Sequence, residues 1–350
     1  MKSKFTSILS VLALGGVLII TGCASGGSGV GQATADAATA NSKLKVAVGL
    51  EEDLTDYANT VVVPTAYVKL LVQGKTSVSS KGGYQIGKDS NTVRASAKYK
   101  VVGMDKALAR QISKRVYDDF VVKLRAAGYK VLTYDDIKDR DYVKNAPRDR
   151  GDATWGLPME SPRGTNDDYI VVAPSDEQQF TVGMQGVFWE FISMGKPKFK
   201  DATVIIPTYT ITAPQVWGKG DASYATISAE INTAPGMNLT SAYAAWMGAP
   251  KTRMGGGNHP GVMTKNQVIN ITEKAGEMVK SADTTSGTAN AISKGLSMVF
   301  GGGSITGSSA EYTFTLDRNA YMAGVLKGTG EFNEVVGKVA AAAKAEAAKK

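Results

Sequence analysis

The chain has 350 residues, of which 40 are lysine or arginine and 32 are aspartate or glutamate, so its formal net charge is +8 at pH 7. It contains one cysteine and one histidine. A single thiol excludes an internal disulfide and a metal site built from cysteines, and the length is compatible with one large domain or two.

The first 22 residues have the features of a lipoprotein signal peptide. Lys2 and Lys4 make the start positive, and residues 5–20 are uncharged and mostly apolar. This stretch is shorter than the roughly 20 residues that a membrane-spanning helix needs. Residues 20–23, Ile-Thr-Gly-Cys, resemble the lipobox of bacterial lipoproteins, in which the signal peptidase cuts before the cysteine. The resemblance implies that the thiol and the new amino group of Cys23 are acylated and anchor the chain in a membrane.

The residue after the cysteine is Ala24 rather than aspartate. In enteric-type bacteria this resembles lipoproteins that are sent to the outer membrane, so we predict an outer-membrane anchor with the body in the periplasm or, alternatively, at the cell surface. Removing Lys2 and Lys4 with the signal leaves 38 basic against 32 acidic residues, a net charge of +6. For an exported chain with scattered basic positions we expect no nucleic-acid partner, and only nonspecific attraction to anionic envelope polymers.

Residues 24–42 are small and polar and show no periodicity. With the lipidated cysteine they predict a flexible tether over residues 23–42, whose root-mean-square reach is roughly 24 Å. The body then occupies residues 43–350. Its clearest strand is residues 92–101, in which apolar positions alternate with Arg94, Lys98 and Lys100. This period of two predicts a half-exposed strand with a basic face, a candidate surface for docking a partner.

The clearest helix begins after Asp105, a good N-cap, and has apolar residues every four positions from Leu108 to Leu124. Gly128 suits the residue after a helix end, and "YKVLTY" then predicts a strand. Residues 135–165 predict a charged surface loop or small excursion, and residues 180–195 fit a strand or a buried helix equally well. We expect further strands at 43–50, 60–72, 168–174, 203–211, 224–231 and 311–316, and helices at 273–280 and 319–350, of which 340–350 form a frayed tail.

Two motifs suggest chemistry at first sight. Residues 82–89, "GGYQIGKD", nearly match a phosphate-binding loop, but Asp89 replaces the serine or threonine that holds magnesium, so we predict a hairpin loop. His259 lies in "GGGNHPGV", and the chain has no G-x-S-x-G motif to supply a serine nucleophile. We interpret this histidine as an exposed loop residue, and we expect no metal and no cofactor.

Hydrolases such as glycosidases need two carboxyl groups across a cleft. The chain has four adjacent carboxylate pairs, at residues 51–52, 118–119, 135–136 and 167–168. Its four tryptophans would suit either a sugar site or a core; they are Trp155, Trp189, Trp217 and Trp246. Adjacency in sequence does not place two carboxyls across a cleft, so we predict a non-enzymatic protein and keep a carboxylate hydrolase as an alternative.

Several segments resemble periplasmic lipoproteins related to the curli-secretion channel lipoprotein. They are Val46-Ala47-Val48, residues 124–135, "YATISAEI" and residues 317–336, about a third of the chain. The resemblance implies an α/β (α+β) body in which helices pack on a mixed sheet; residues 135–165 have no counterpart in it. It favours a component of an outer-membrane assembly, secretion or surface-structure system, with envelope proteins or further copies of the chain as partners. The alternative is a binding lipoprotein for a small molecule or an envelope polymer.

Overall fold

A computed structural model describes residues 30–81, 92–181, 201–222, 226–248, 261–265, 269–271, 274–283, 304–306 and 309–349. Its architecture is mixed α/β, with helices packed on a large mixed sheet, and this confirms the predicted fold class. The helices described are α1 (Val30–Ala38), a 3₁₀ helix (Glu51–Thr55), α2 (Asp56–Asn59), α3 (Lys106–Ala126), α4 (Tyr134–Ile137), α5 (Asp141–Lys144) and α6 (Arg318–Ala347). Within these ranges no helix combines the length and the apolar character needed to cross a membrane.

Most strands belong to one 13-stranded sheet with the central order β1-β12-β11-β8-β3-β4-β16-β14. A smaller sheet has the order β15-β10-β9. The strands are β1 (Val46–Gly49), β2 (Thr60–Val62), β3 (Tyr67–Lys81), β4 (Thr92–Val102), β5 (Lys130–Leu132), β6 (Met159–Glu160), β7 (Asp168–Val172), β8 (Thr203–Thr212), β9 (Gln215–Ala222), β10 (Thr226–Ala234), β11 (Met237–Met247), β12 (Gly261–Thr264), β13 (Ile269–Ile271), β14 (Gly276–Asp283), β15 (Ser304–Thr306) and β16 (Ser309–Leu316).

The main core lies between the large sheet and helices α3 and α6. Helix α3 forms as predicted: the Asp105 carboxylate accepts a hydrogen bond from the Leu108 amide at 2.7 Å, and Gly128 follows the helix with a φ of 88°. The apolar stripe of α3 is fully buried, including Ile112, Val116 and Phe120. The four-residue spacing puts these side chains on one helix face, where their burial stabilises the fold by roughly 1.5–3 kcal/mol each.

The predicted excursion at residues 135–165 contains α4, α5 and β6. Thr133 and Asp136 form a capping box that starts α4, directly after the predicted strand β5. Ile137, Val143 and Ala146 are buried in a second apolar cluster with residues of β7 and β8. The excursion is therefore packed against the sheet and not simply a surface loop.

The N-terminal segment differs from the flexible chain predicted for residues 24–42. Residues 30–38 form α1, and Gly31 and Ala35 are buried where α1 packs on β1 and α6. The Gln32 side chain accepts a hydrogen bond from the Val48 amide and donates one to the Val46 carbonyl, so it covers the edge of β1. Small residues permit this close packing, which has no periodic signature in the sequence.

Two further expectations are wrong. Residues 273–280 were expected to be helical, but β14 occupies 276–283 because pairing with β16 supplies its backbone hydrogen bonds. The tail predicted to fray at 340–350 is helical through Ala347, because Ala343 is buried against the core. In both places tertiary contacts outweigh a weak local preference.

Candidate functional site

Strands β3 and β4 form a long hairpin with one covered and one exposed face. On β4, Val93, Ala95 and Ala97 are buried, and the smaller sheet packs over this side. A Cβ atom on Gly218 of β9 would lie 2.7 Å from Val78 Cβ, so the close approach of the two sheets requires glycine there. The other face of the hairpin is open. It carries Arg94, Lys98 and Lys100, the three residues that alternation places on one side.

The pairing register adds two cations to this face. Lys75 lies opposite Lys98, and Lys81 lies opposite Thr92. We call the five side chains together the basic strip; they are Lys75, Lys81, Arg94, Lys98 and Lys100. Sequence reasoning missed Lys75 and Lys81 because only the register between the strands shows which side chains of β3 share the face of β4.

Few opposite charges balance the basic strip. The Lys98 ammonium lies 3.4 Å from a carboxylate oxygen of Glu311 on the neighbouring strand β16. Among the described residues, neither Lys75 nor Lys100 nor Arg94 has an ion pair. Like charges directly opposite each other on paired strands are destabilising, and Lys75 and Lys98 are such a pair. The face therefore holds net positive charge that the described part of the chain does not neutralise.

A groove of about 570 Å³ lies over the base of the basic strip. Its lining includes the ammonium-bearing Lys75, Lys98 and Lys100 and the carboxylates of Asp168 and Glu311. Asp168 already accepts hydrogen bonds from the Gln73 amide at 2.7 Å and from the Ser161 hydroxyl. The groove thus presents three cations. Of its two carboxylates, Glu311 lies near Lys98, and Asp168 is already hydrogen-bonded to Gln73 and Ser161.

A half-buried polar contact supports the floor of the groove from behind. The Tyr99 hydroxyl donates a hydrogen bond to Asp167 Oδ1 at 2.5 Å. Gly74 lies opposite Tyr99, and a Cβ atom there would be 2.2 Å from Asp167 Oδ1 and 2.6 Å from the Tyr99 hydroxyl oxygen. Burial raises the pKa of Asp167 despite the hydrogen bond from Tyr99, which acts in the opposite direction.

This shift predicts how stability depends on pH. Because folding raises the pKa of Asp167, the folded state loses stability as the pH rises from below the ordinary value of 3.8 through the folded pKa. We expect Asp167→Asn, which keeps an oxygen acceptor and does not ionise, to gain stability relative to the wild type across this pH range. Urea unfolding at a series of pH values from 3 to 7, roughly spanning the transition, measures the difference.

Asp105→Asn is a control in which the change in stability with pH should have the opposite sign. The hydrogen bond from Arg318 lowers the pKa of Asp105, so its contribution to stability is present above the ordinary value of 3.8 and is lost as the pH falls through the folded pKa. Asp105→Asn should therefore lose stability relative to the wild type as the pH rises. If both variants changed in the same direction, the assignment of Asp167 as a carboxyl disfavoured by burial would be wrong.

The described tryptophans do not come together in one site. Trp246 is fully buried in the main core, Trp155 packs at the margin of that core, and 48 % of Trp217 is exposed. Trp189 lies outside the described residues, as do Cys23, His259 and residues 82–89. The three described tryptophans therefore occupy separate environments and do not line one sugar site.

Two of the adjacent carboxylate pairs, at residues 118–119 and 135–136, have local partners. Asp118 pairs with Lys114, and Asp119 accepts a hydrogen bond from Asn333 at 2.7 Å. Asp135 pairs with Lys138 and Asp136 caps α4. In the described part of the chain, no three or more His, Cys, Asp and Glu side chains are grouped to hold a metal ion.

No protein-family model, curated protein or solved structure matches the chain. Its function is therefore inferred from its own residues. The feature with the clearest chemical character is the basic strip and the groove at its base.

Proposed function

We propose that this chain is a lipid-anchored protein of the bacterial outer membrane and a non-enzymatic component of an envelope assembly, secretion or surface-structure system. The observation that carries the proposal is the open hairpin face with Arg94, Lys98 and Lys100, joined by Lys75. Its chemistry is suited to holding an anionic partner by charge. The lipobox-like sequence before Cys23 supports the anchor.

The packing of α1 limits the distance between anchor and body. Six residues separate Cys23 from Val30, where α1 begins. Even fully extended, the seven residue steps from Cys23 to Val30 span at most roughly 25 Å at 3.3–3.6 Å per residue. Lipid on Cys23 would therefore hold the end of the body that carries the start of α1 close to the membrane.

The basic strip lies toward the opposite end of the sheet. Gly31 of α1 lies beside Val48, which is level with Pro207 of β8 through the registers of β12 and β11. Leu70 of β3 is level with Ile211, and β3 continues in the same direction to Lys81. At 3.3 Å per residue, the strip extends from roughly 30 Å to roughly 50 Å beyond the α1 end. The proposed mechanism is thus positioning: one end is anchored and the other docks a partner.

The anchor is tested by metabolic labelling with an alkyne fatty acid. We expect the full-length protein to incorporate the label and to require detergent for extraction from membranes. Cys23→Ser should incorporate no label, whereas Ser25→Ala, which keeps the cysteine, should behave like the wild type. A mature N-terminus at another residue, with Cys23 unlabelled, would contradict the anchor.

The mass of the full-length protein in mild detergent tests the second half of the proposal. An assembly component should form a closed multimer or co-purify with envelope proteins. A second candidate function, a binding lipoprotein for an envelope polymer, is favoured by the groove of about 570 Å³. A monomer that retains no envelope protein would support this second function.

A further inference from the structure

We infer that the basic strip binds an extended anionic polysaccharide, whose acidic groups lie in the groove between Lys75, Lys98 and Lys100. This inference rests on the second candidate function, the binding of an envelope polymer, and on the anchor that places the chain in the cell envelope. It goes further by giving the ligand a chemical class and its site named residues.

The charge of this face suits an anionic ligand. Five cations occupy one hairpin face, and among the described residues only Glu311 and Asp168 oppose them at the groove. Lys75 and Lys98 face each other across the two strands, an arrangement that costs stability unless an anion lies between them. Because the side chain of Lys98 is 65 % exposed, its ammonium group is accessible to a ligand without rearrangement of the core. A carboxylate or phosphate in the groove would relieve this repulsion.

The shape of the strip suits a linear ligand. Lys75 and Lys81 are six positions apart on β3, which corresponds to roughly 20 Å, and the two strands that carry the strip lie about 4.8 Å apart. The strip is therefore long and narrow. A linear polymer with repeated acidic groups can contact its whole length, whereas a single small anion can occupy only one part.

Neutral polar side chains lie among the cations of the strip. Ser77, Ser79 and Ser96 lie between the cations and offer hydroxyl groups for hydrogen bonds with sugars. Tyr99 and Tyr312 also line the groove, although Tyr99 is itself buried.

Protein interfaces usually have aromatic or apolar anchors at their centre. The exposed apolar side chains of this face, Val102 and Val279, lie at its Lys100 end, and the described part of the strip from Lys98 to Lys81 carries cations and hydroxyl groups instead. A flat bilayer surface, in turn, would leave the groove unfilled.

The test uses the full-length protein in nonionic detergent and measures its binding to polygalacturonate, a polysaccharide with one carboxylate on each sugar. Dextran serves as the neutral polymer. We expect binding to polygalacturonate alone, weakened by salt because salt screens exposed charges. The affinity of K75Q/K98Q/K100Q for polygalacturonate should be lower by about tenfold or more, because three charge contacts are removed.

The matched control is K114Q/K338Q/K349Q, which removes the same charge from exposed lysines on α3, α6 and the C-terminal end. It should bind like the wild type. Both variants should fold, and K75Q/K98Q/K100Q should melt at or above the wild-type temperature because it removes the repulsion between Lys75 and Lys98. Equal weakening in both variants would overturn the inference, because attraction would then follow net charge alone. Equal binding of polygalacturonate and dextran would overturn it as well.

A further arm is run without detergent: the full-length protein, anchored in phosphatidylcholine vesicles, is offered separate vesicles of phosphatidylglycerol and phosphatidylethanolamine in place of the polymer. Stronger binding to these vesicles than to polygalacturonate, lost in K75Q/K98Q/K100Q, would assign the strip to a lipid surface and overturn the inference. Binding in detergent solution does not need the anchor, and labelling of Cys23 does not need the lysines. Failure of the polysaccharide site is therefore distinguishable from failure of the proposed function.

Discussion

Trp246→Ala is expected to lower the free energy of unfolding by about 3–5 kcal/mol. The Trp246 side chain is fully buried on β11, level with Ile205 of β8. Its indole Nε1–H donates a hydrogen bond to the Leu50 carbonyl at 2.9 Å. Alanine would leave a cavity at this position and a carbonyl oxygen without its partner, and both effects destabilise the fold. Urea unfolding followed by circular dichroism measures the loss.

Trp217→Ala is the matched control, because 48 % of this tryptophan is exposed on β9. Substitutions at exposed positions usually change stability by about 0.5 kcal/mol or less, so this variant should unfold close to the wild type. A similar loss for both variants would contradict the core position of Trp246. A large loss for Trp246→Ala alone would also show that Trp246 acts by packing in the core and not by lining a sugar site.

Local patterns predicted the elements whose signal lies within a few turns or a few strand residues. The four-residue spacing of Ile112, Val116 and Phe120 predicted α3, and the cap at Asp105 located its start. Alternation predicted β4 and its exposed cations. Segments made of small residues did not reveal their structure: α1 is held by burial of Gly31 and Ala35, which depends on surfaces far away in sequence.

The residues of the candidate site likewise fall into two groups: those predicted from the pattern of one strand and those placed there by strand pairing. Arg94, Lys98 and Lys100 follow from the period of one strand. Lys75 joins them only through antiparallel pairing, and Glu311 only through the parallel pairing of β16 with β4, which lie more than 200 residues apart. Such registers are set by the packing of the whole sheet. The wrong helix at 273–280 has the same origin, since β14 exists because β16 pairs with it.

Gly74→Ala is expected to be strongly destabilising, by about 2–4 kcal/mol, because a methyl group is forced into occupied space. The new Cβ would lie 2.2 Å from Asp167 Oδ1, so the carboxylate and the Tyr99 hydroxyl would have to separate. Neither group can move freely, since Tyr99 is buried and Asp167 has a short side chain. Urea unfolding measures the loss.

Gly330→Ala is the control with the opposite sign. A Cβ atom at this position in α6 meets nothing within 4 Å, so alanine should raise stability by about 0.5–1 kcal/mol through its better helix propensity.

Gly74→Ala should also change the groove, because the Lys75 amide next to it donates a hydrogen bond to the Asn166 carbonyl at 3.1 Å. Displacing Asp167 would shift this contact, and the affinity for polygalacturonate should fall although no charge is removed. Wild-type stability in Gly74→Ala would mean that Tyr99 and Asp167 do not meet behind the groove. Lost stability with unchanged affinity would instead mean that the lysines bind the polymer without support from its floor.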